Sequence, residues 1–175
     1  MTYSMVHLVR RDTVVTGSSR QLTSIHDQER AHPVTSTQFS PTTVSMEQAE
    51  RAVEAAKMKA AQIGLPFTVT VVDAGTHLVS ATRMDGAILG SIEVSATKAR
   101  TAVLFGQQTK DLNAAVQPGT TMFSIEQAIR EPVTFVAGGI PLVDDRGLVI
   151  GAVGVSGGTP DQDHEVALAA AGLGV

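Results

Sequence analysis

Basic side chains near the middle of the chain are the first residues whose type and spacing suggest chemistry. Lys98 and Arg100 lie within a run of small residues at 96–102, and Arg83 comes before that run. Such cations form charge-assisted hydrogen bonds with carboxylates, but near the end of a helix they also complement its dipole. The pattern therefore predicts either a site for a small anionic ligand, with these three residues as contacts, or a favourable helix end.

A glycine pair offers a second contact for an anion. Gly157 and Gly158 join an apolar stretch to Thr159-Pro160-Asp161-Gln162, which has the capping-box pattern of a helix start. Backbone N–H groups at such a start attract anions. The segment lacks the glycine spacing of nucleotide-binding motifs, so it indicates an ordinary turn or a carboxylate site.

The histidines lack the spacing of a known metal motif, and we predict no metal site from them. His77 follows the turn sequence Asp73-Ala74-Gly75-Thr76 and is expected to face solvent. His164 follows two aspartates in a predicted helix start, where acidic residues are common.

Composition excludes several classes of protein. The chain has 175 residues, a net charge of −4, five Phe, one Tyr and no Cys or Trp. This argues against nucleic-acid and membrane-surface binding, and excludes disulfides and thiolate metal sites. No apolar run reaches the ~18 residues of a spanning helix, and Arg10-Arg11 lacks the apolar stretch of an export signal. We therefore expect a cytoplasmic protein.

Periodicity predicts an α+β fold for residues 44–175, after an N-terminal extension of residues 1–43 that shows no sustained pattern. The predicted order is helix, hairpin, helices, hairpin, helix, which gives an antiparallel sheet with helices packed against it. The predicted helices follow Ser45 and span 87–105, 110–116, 121–130 and 160–171, and the predicted strands span 67–72, 77–82, 134–143 and 148–156. Small residues along 87–105 permit close approach of another backbone, which favours a homo-oligomer.

Short motifs in this order resemble the GlcG/HbpS family of haem-binding and haem-degrading-type domains, also found at the C-terminal end of PduO-type proteins. The resemblance covers residues 45–172. The matching segments are Val71-Val72-Asp73-Ala74-Gly75-Thr76-His77-Leu78-Val79, Arg83-Met84-Asp85-Gly86-Ala87, Ala96-Thr97-Lys98-Ala99-Arg100-Thr101-Ala102, Gly138-Gly139-Ile140-Pro141-Leu142 and Gly151-Ala152-Val153-Gly154-Val155-Ser156-Gly157-Gly158.

The resemblance implies a profilin-like fold, in which helices flank both sides of an antiparallel sheet, and assembly into dimers or larger oligomers such as octamers. It implies a ligand site at subunit contacts beside the helix that carries Lys98 and Thr101, with haem as a possible cofactor. Thr101 and His77 are then the expected contacts to iron. In an enzyme, Lys98, Thr101 and Asp73 would be catalytic.

Three functions stay open at this point. The first is an oligomeric binding protein for haem or a related anionic small molecule, with or without haem degradation. The second is a lyase of aromatic catabolism that acts on hydroxylaminobenzoate-type acids. The third is a non-catalytic structural or sensory oligomer. Convergence of Arg83, Lys98 and Thr101 with an acid such as Asp73 on one pocket would favour an enzyme.

Overall fold

A computed structural model describes residues 43–172. The helices are α1 (Met46–Ile63), α2 (Ser91–Phe105), α3 (Thr109–Leu112) and α4 (Pro160–Ala170). The strands are β1 (Thr68–Asp73), β2 (Leu78–Arg83), β3 (Gly139–Val143) and β4 (Val149–Ser156). This order confirms the predicted α+β class. The N-terminal extension, apart from Thr43, lies outside the described residues.

The four strands form one antiparallel sheet in the order β2-β1-β4-β3. Helices α1 and α4 pack on one face, and α2 packs on the other. Side chains of a strand alternate between the two faces, so Val69 and Val71 join the core under α1 and α4, while Val72 joins a smaller cluster under α2. Helices therefore flank both sides of the sheet, as predicted.

The core beneath α1 and α4 is apolar throughout, and its burial drives the packing of those helices. Alanines of α1 let this helix lie close to the sheet. The buried members include Ala49, Ala52, Val53, Ala56, Phe67, Val69, Val71, Val153, Val155, Val166 and Ala167. Both helices begin with the capping boxes that the sequence predicts, at Ser45 and Thr159.

The face beneath α2 is packed with small and polar residues. The hydroxyl of Ser91 lies 2.6 Å from that of Thr68, and the hydroxyl of Ser95 lies 2.8 Å from that of Thr70. A Cβ atom on Gly154 would lie 2.0 Å from the Ser95 carbonyl oxygen. The backbone that approaches the small face of α2 is therefore β4 of the same chain.

Some predicted boundaries differ from the structure. Helix α2 begins at Ser91 instead of 87, because residues 88–90 form turns. Segment 121–130 contains only the 3-10 helix Ile125–Ala128, and β3 begins at Gly139 instead of 134. Within the described residues, no helix is long and apolar enough to span a membrane.

Candidate functional site

Lys98 points from α2 into the protein, with only 1% of its side chain exposed. Its Nζ donates to Oδ2 of Asp163 at 2.5 Å and to the Val155 carbonyl oxygen at 3.0 Å. Burial lowers the pKa of Lys98, and the hydrogen bond and charge of Asp163 oppose that effect. The ammonium is therefore bound by the protein itself.

The turn formed by Gly157 and Gly158 before α4 binds a carboxylate of the same chain. The Gly158 N–H donates to Oδ1 of Asp163 at 2.9 Å. Gly157 lies so close to the loop between α1 and β1 that a Cβ atom on it would be 2.5 Å from the Pro66 carbonyl oxygen. Asp163 thus ties the turn to α4 and Lys98. Sequence reasoning missed this role, because the only signal was an acidic residue in the first turns of a helix.

Thr101 and Arg100 hold the segment that precedes β3. The buried Thr101 hydroxyl donates to the Thr97 carbonyl oxygen at 2.8 Å and accepts from the Thr134 N–H at 3.0 Å. The Arg100 guanidinium forms an ion pair with Glu131. The Thr101 hydroxyl is thus fully engaged within the chain, whereas Arg100 is paired in charge with Glu131 but its buried Nε has no hydrogen-bond partner among the described residues.

Asp73 and His77 form a pair at the β1–β2 hairpin. Oδ1 of Asp73 accepts from the backbone N–H groups of Gly75 and His77, both at 2.8 Å. Oδ2 lies 3.2 Å from Nδ1 of His77, whose side chain is 81% exposed. Burial raises the pKa of Asp73, but the hydrogen bonds from His77 and Gly75 outweigh it and hold the pKa below its usual range.

Arg83 ends β2 and is exposed to solvent. Its Nη1 donates to the Ala87 carbonyl oxygen at a distance of 3.3 Å, which is long for a hydrogen bond. Lys98 and Arg100 form ion pairs with Asp163 and Glu131, whereas Arg83 forms no ion pair within residues 43–172. It is therefore the one best placed to meet an anionic ligand.

Strand β2 presents an uncovered surface on the α2 side of the sheet. Directly opposed residues of an antiparallel pair share a face. Leu78, Ala81 and Arg83 oppose Val72, Thr70 and Thr68, whose side chains face α2. We call the surface formed by these three residues and by Ile92, Ala96 and Val103 of α2 the open face.

The composition of the open face suits an amphiphilic ligand. Leu78 is 66% exposed at the hairpin end of β2. Ile92 is 43% exposed and follows Ser91, whose hydroxyl contacts Thr68 near the other end of β2. Helix α2 packs on β4, β1 and β3, and this arrangement leaves β2 uncovered on that side of the sheet. The resulting surface combines apolar contact with one cation, Arg83, at its end.

The residues expected to converge in an enzyme lie apart. Lys98 and Thr101 form internal contacts on the β3 side of α2, while Asp73 lies in the β1–β2 hairpin and Arg83 at the other end of β2. The described part of the chain contains no group of three or more His, Cys, Asp or Glu residues that fits a metal ion.

Two cavities occur elsewhere in the described structure, and none of the predicted site residues lines either of them. One of about 370 Å³ lies between α1, β3 and the end of α4. Another of about 440 Å³ lies beside Lys110 and Asp161, whose side chains form an ion pair at 3.1 Å. The predicted residues instead occupy internal contacts or the exposed surface.

Comparison with known protein families identifies the family of this chain. Residues 44–172 match the profile of the family described as haem degrading protein HbpS-like. The chain belongs to the HbpS-like family. The resemblance to GlcG/HbpS proteins is thereby confirmed.

Relatives with assigned names share this region. Protein GlcG of Escherichia coli strain K12 is 37% identical over 113 residues, which cover 65% of this chain and 81% of GlcG. The corrinoid adenosyltransferase PduO of Salmonella typhimurium is 36% identical over 136 residues, covering 77% of this chain but only 40% of PduO. A solved PduOC:heme complex has a TM-score of 0.70 at 34% identity, covering 75% of this chain and 94% of that one.

Proposed function

We propose that this HbpS-like protein binds haem, or a closely related apolar carboxylate, on the open face. The observation that carries the proposal is the union of exposed apolar side chains, Leu78 and Ile92, with the weakly bonded cation Arg83. Haem has a flat apolar macrocycle and two propionates, so its chemistry matches this surface. The haem-bound PduOC relative supports the choice of ligand.

Haem would supply a redox-active iron to this site, and the protein would supply apolar contact and charge. Arg83 would donate charge-assisted hydrogen bonds to a propionate. Lys98 and Thr101 are committed to internal hydrogen bonds, which favours binding over the lyase chemistry that the sequence left open.

The protein is also proposed to be a homo-oligomer, at least a dimer. Water contact with the apolar part of the open face is unfavourable, and a second copy would cover both this surface and a ligand on it. The reason differs from the sequence-based one, since the small residues of α2 pack against their own sheet.

The experiment is haemin titration of the purified full chain, followed by absorbance in the Soret region. Hydrogen bonds to charged groups contribute about 1.5–3 kcal/mol each, so Arg83→Ala should weaken binding roughly 10- to 150-fold. Arg83→Lys should also lose affinity, because the planar fork is lost. Arg146→Ala is the matched control, since Arg146 is exposed on the other hairpin and bonded to Asp144.

Two results would count against the proposal. Absence of any haemin binding by the wild-type protein would remove haem as the ligand. Equal affinities for the wild-type, Arg83→Ala and Arg146→Ala proteins, with unchanged thermal melts, would place the ligand away from the open face.

A further inference from the structure

We propose that the cavity beside Lys110 of α3 and Asp161 of α4 binds a small zwitterion, of the class of α-amino acids with an aliphatic side chain. We call this cavity the ion-pair cleft. None of the six residues of the open face lines it. Such a site is additional to the proposed haem site and does not depend on it.

The ion-pair cleft has the size and the walls of a small-molecule site. Its volume of about 440 Å³ lies within the range of roughly 300–1,000 Å³ that is usual for such sites. Val136 on its wall is 41% exposed, which leaves an apolar side chain open to a ligand. The apolar lining residues are Ala114, Val136, Ala137 and Pro160. The described lining contains no aromatic ring, so an aliphatic group matches it better than a ring that needs a stacking partner.

The wall that precedes β3 is held in place by its neighbours. Nδ2 of Asn113 donates to the Phe135 carbonyl oxygen at 3.1 Å. Phe135 itself is buried and packs edge-on against Phe105, with ring centroids 5.5 Å apart. The next two residues, Val136 and Ala137, are therefore fixed in position, and a ligand meets a preformed surface, as is usual for small-molecule sites.

Two opposite charges lie next to each other in the ion-pair cleft. Nζ of Lys110 is 3.1 Å from Oδ1 of Asp161, and the two side chains are 50% and 85% exposed. Exposed ion pairs of this kind contribute little to stability, so the two groups can exchange partners at small cost. Because both residues line the cleft, a ligand within it meets a cation and an anion together.

The paired charges select the charge type of the ligand. A simple carboxylate could pair with Lys110 but would lie beside the Asp161 carboxylate, and a simple amine would meet the reverse conflict with Lys110. Like-charge contacts are unfavourable and exclude wrong partners. A ligand with both an ammonium and a carboxylate group pairs each of them with an opposite charge.

The short distance between the two charges selects an α-amino acid among zwitterions. Its ammonium and carboxylate groups are attached to one carbon atom, so both can reach side chains that lie only 3.1 Å apart. An amino acid with its charges at opposite ends of a chain can satisfy only one of them. The side chain of the α-amino acid is then free to pack on Val136 and Ala137.

The test compares L-leucine with its isomer 6-aminohexanoate, which has the same atoms and the same charges but carries the charges at opposite ends. Affinities are measured by titration calorimetry for the wild-type full chain and for Lys110→Met, Asp161→Asn and Ala114→Leu. Ala114 is exposed, so a leucine there fills the ion-pair cleft and leaves both charges in place. Lys57→Met is the matched control, because Lys57 forms an exposed ion pair with Glu54 on α1.

Two further ligands separate the charges of leucine. These are 4-methylpentanoate, which lacks the ammonium group, and 3-methylbutylamine, which lacks the carboxylate. We expect the wild-type protein to bind L-leucine, and to bind 6-aminohexanoate and both single-charge ligands about fivefold more weakly or worse.

The variants test where the amino acid lies. Lys110→Met and Asp161→Asn should each weaken leucine binding about 3- to 10-fold, between the effect of an exposed ion pair and that of a hydrogen bond to a buried charge. Ala114→Leu should weaken it at least as much, because the added side chain occupies the ion-pair cleft. Lys57→Met should match the wild type.

Several results would overturn this site without touching the open face. Failure of the wild-type protein to bind L-leucine at millimolar concentration would remove it. Equal affinities for the two isomers would contradict recognition of adjacent charges. Leucine binding unchanged in Lys110→Met, Asp161→Asn and Ala114→Leu, with unchanged thermal melts, would place the amino acid elsewhere. Haemin affinity should stay at the wild-type value in all three variants, so failure of one site is distinguishable from failure of the other.

Discussion

Nζ of Lys98 and Oδ2 of Asp163 lie 2.5 Å apart, and the two side chains are only 1% and 4% exposed. This pair joins α2 to α4, although the helices lie on opposite faces of the sheet. Oδ1 of Asp163 and the Val155 carbonyl oxygen complete the link to the Gly158 turn and to β4. The pair therefore connects the two layers around the end of the sheet.

Removal of one partner should destabilise the protein strongly. Breaking a buried ion pair leaves one charge without its partner and costs about 3–5 kcal/mol. We therefore expect Lys98→Met to lower the free energy of unfolding, measured in urea, by this amount. Asp163→Asn keeps an oxygen for the Gly158 N–H. The double variant should lose less than the sum of the single losses, and additive losses would show that the pair has no coupling energy.

Close packing between α2 and β4 gives a second expectation. Gly154→Ala would place a Cβ atom 2.0 Å from the Ser95 carbonyl oxygen and 2.6 Å from the Ala99 nitrogen, both backbone atoms. Overpacking costs about 1–3 kcal/mol and sometimes more, and we expect at least the upper part of this range. Gly90→Ala meets no atom within 4 Å, so its thermal melt should stay near that of the wild type.

Local signals explain why much of the fold could be predicted. The capping boxes at Ser45 and Thr159 involve residues three apart, and an aspartate opens each hairpin turn. Lys98 and Asp163, by contrast, are 65 residues apart. Nothing in the sequence around either residue identifies the other as its partner. The sequence therefore predicts Lys98 as a ligand contact, whereas in the fold its charge is paired with Asp163.

The open face was hidden from the sequence for a related reason. Leu78 and Ile92 have the spacing of ordinary core residues, and their exposure depends on β2 being the edge strand and on α2 covering β3, β4 and β1. That arrangement is set by long-range packing. The apolar periodicity of α2 did not identify its buried face, because Ser91, Ser95 and Lys98 are buried while Ile92 is 43% exposed.

The hairpins also differ in backbone strain. Thr76 has φ of 68°, close to the 77° of Gly147 at the matching position of the second hairpin. A β-branched residue is costly in this region, whereas glycine adopts it freely. Thr76→Gly should therefore stabilise the protein by up to about 1 kcal/mol, and Gly147→Thr should destabilise it. A lower urea midpoint for Thr76→Gly would contradict this account.

His164 should make stability depend on pH in the mildly acidic range. Burial lowers its pKa below 6.5, Lys110 lowers it further, and Asp111 and Asp161 partly oppose the shift. The folded protein then binds its proton less readily than the unfolded chain, so stability is complete above pH 6.5 and is lost as pH falls through the folded-state pKa. We expect His164→Gln to flatten the fall in melting temperature between pH 7 and pH 5. Parallel curves for the two proteins would exclude this contribution.

The apolar part of the open face predicts self-association of the protein even without bound haem. We expect the wild-type chain to be at least a dimer by light scattering at micromolar concentration. Ile92→Asp would place a charge on a surface that a second copy must desolvate, which is strongly unfavourable, so this variant should shift toward the monomer. Met58→Asp is the matched control, because Met58 is 64% exposed on α1, on the other face of the sheet. A monomeric wild-type protein would overturn the oligomer, and equal masses for the two variants would place the subunit contact away from the open face.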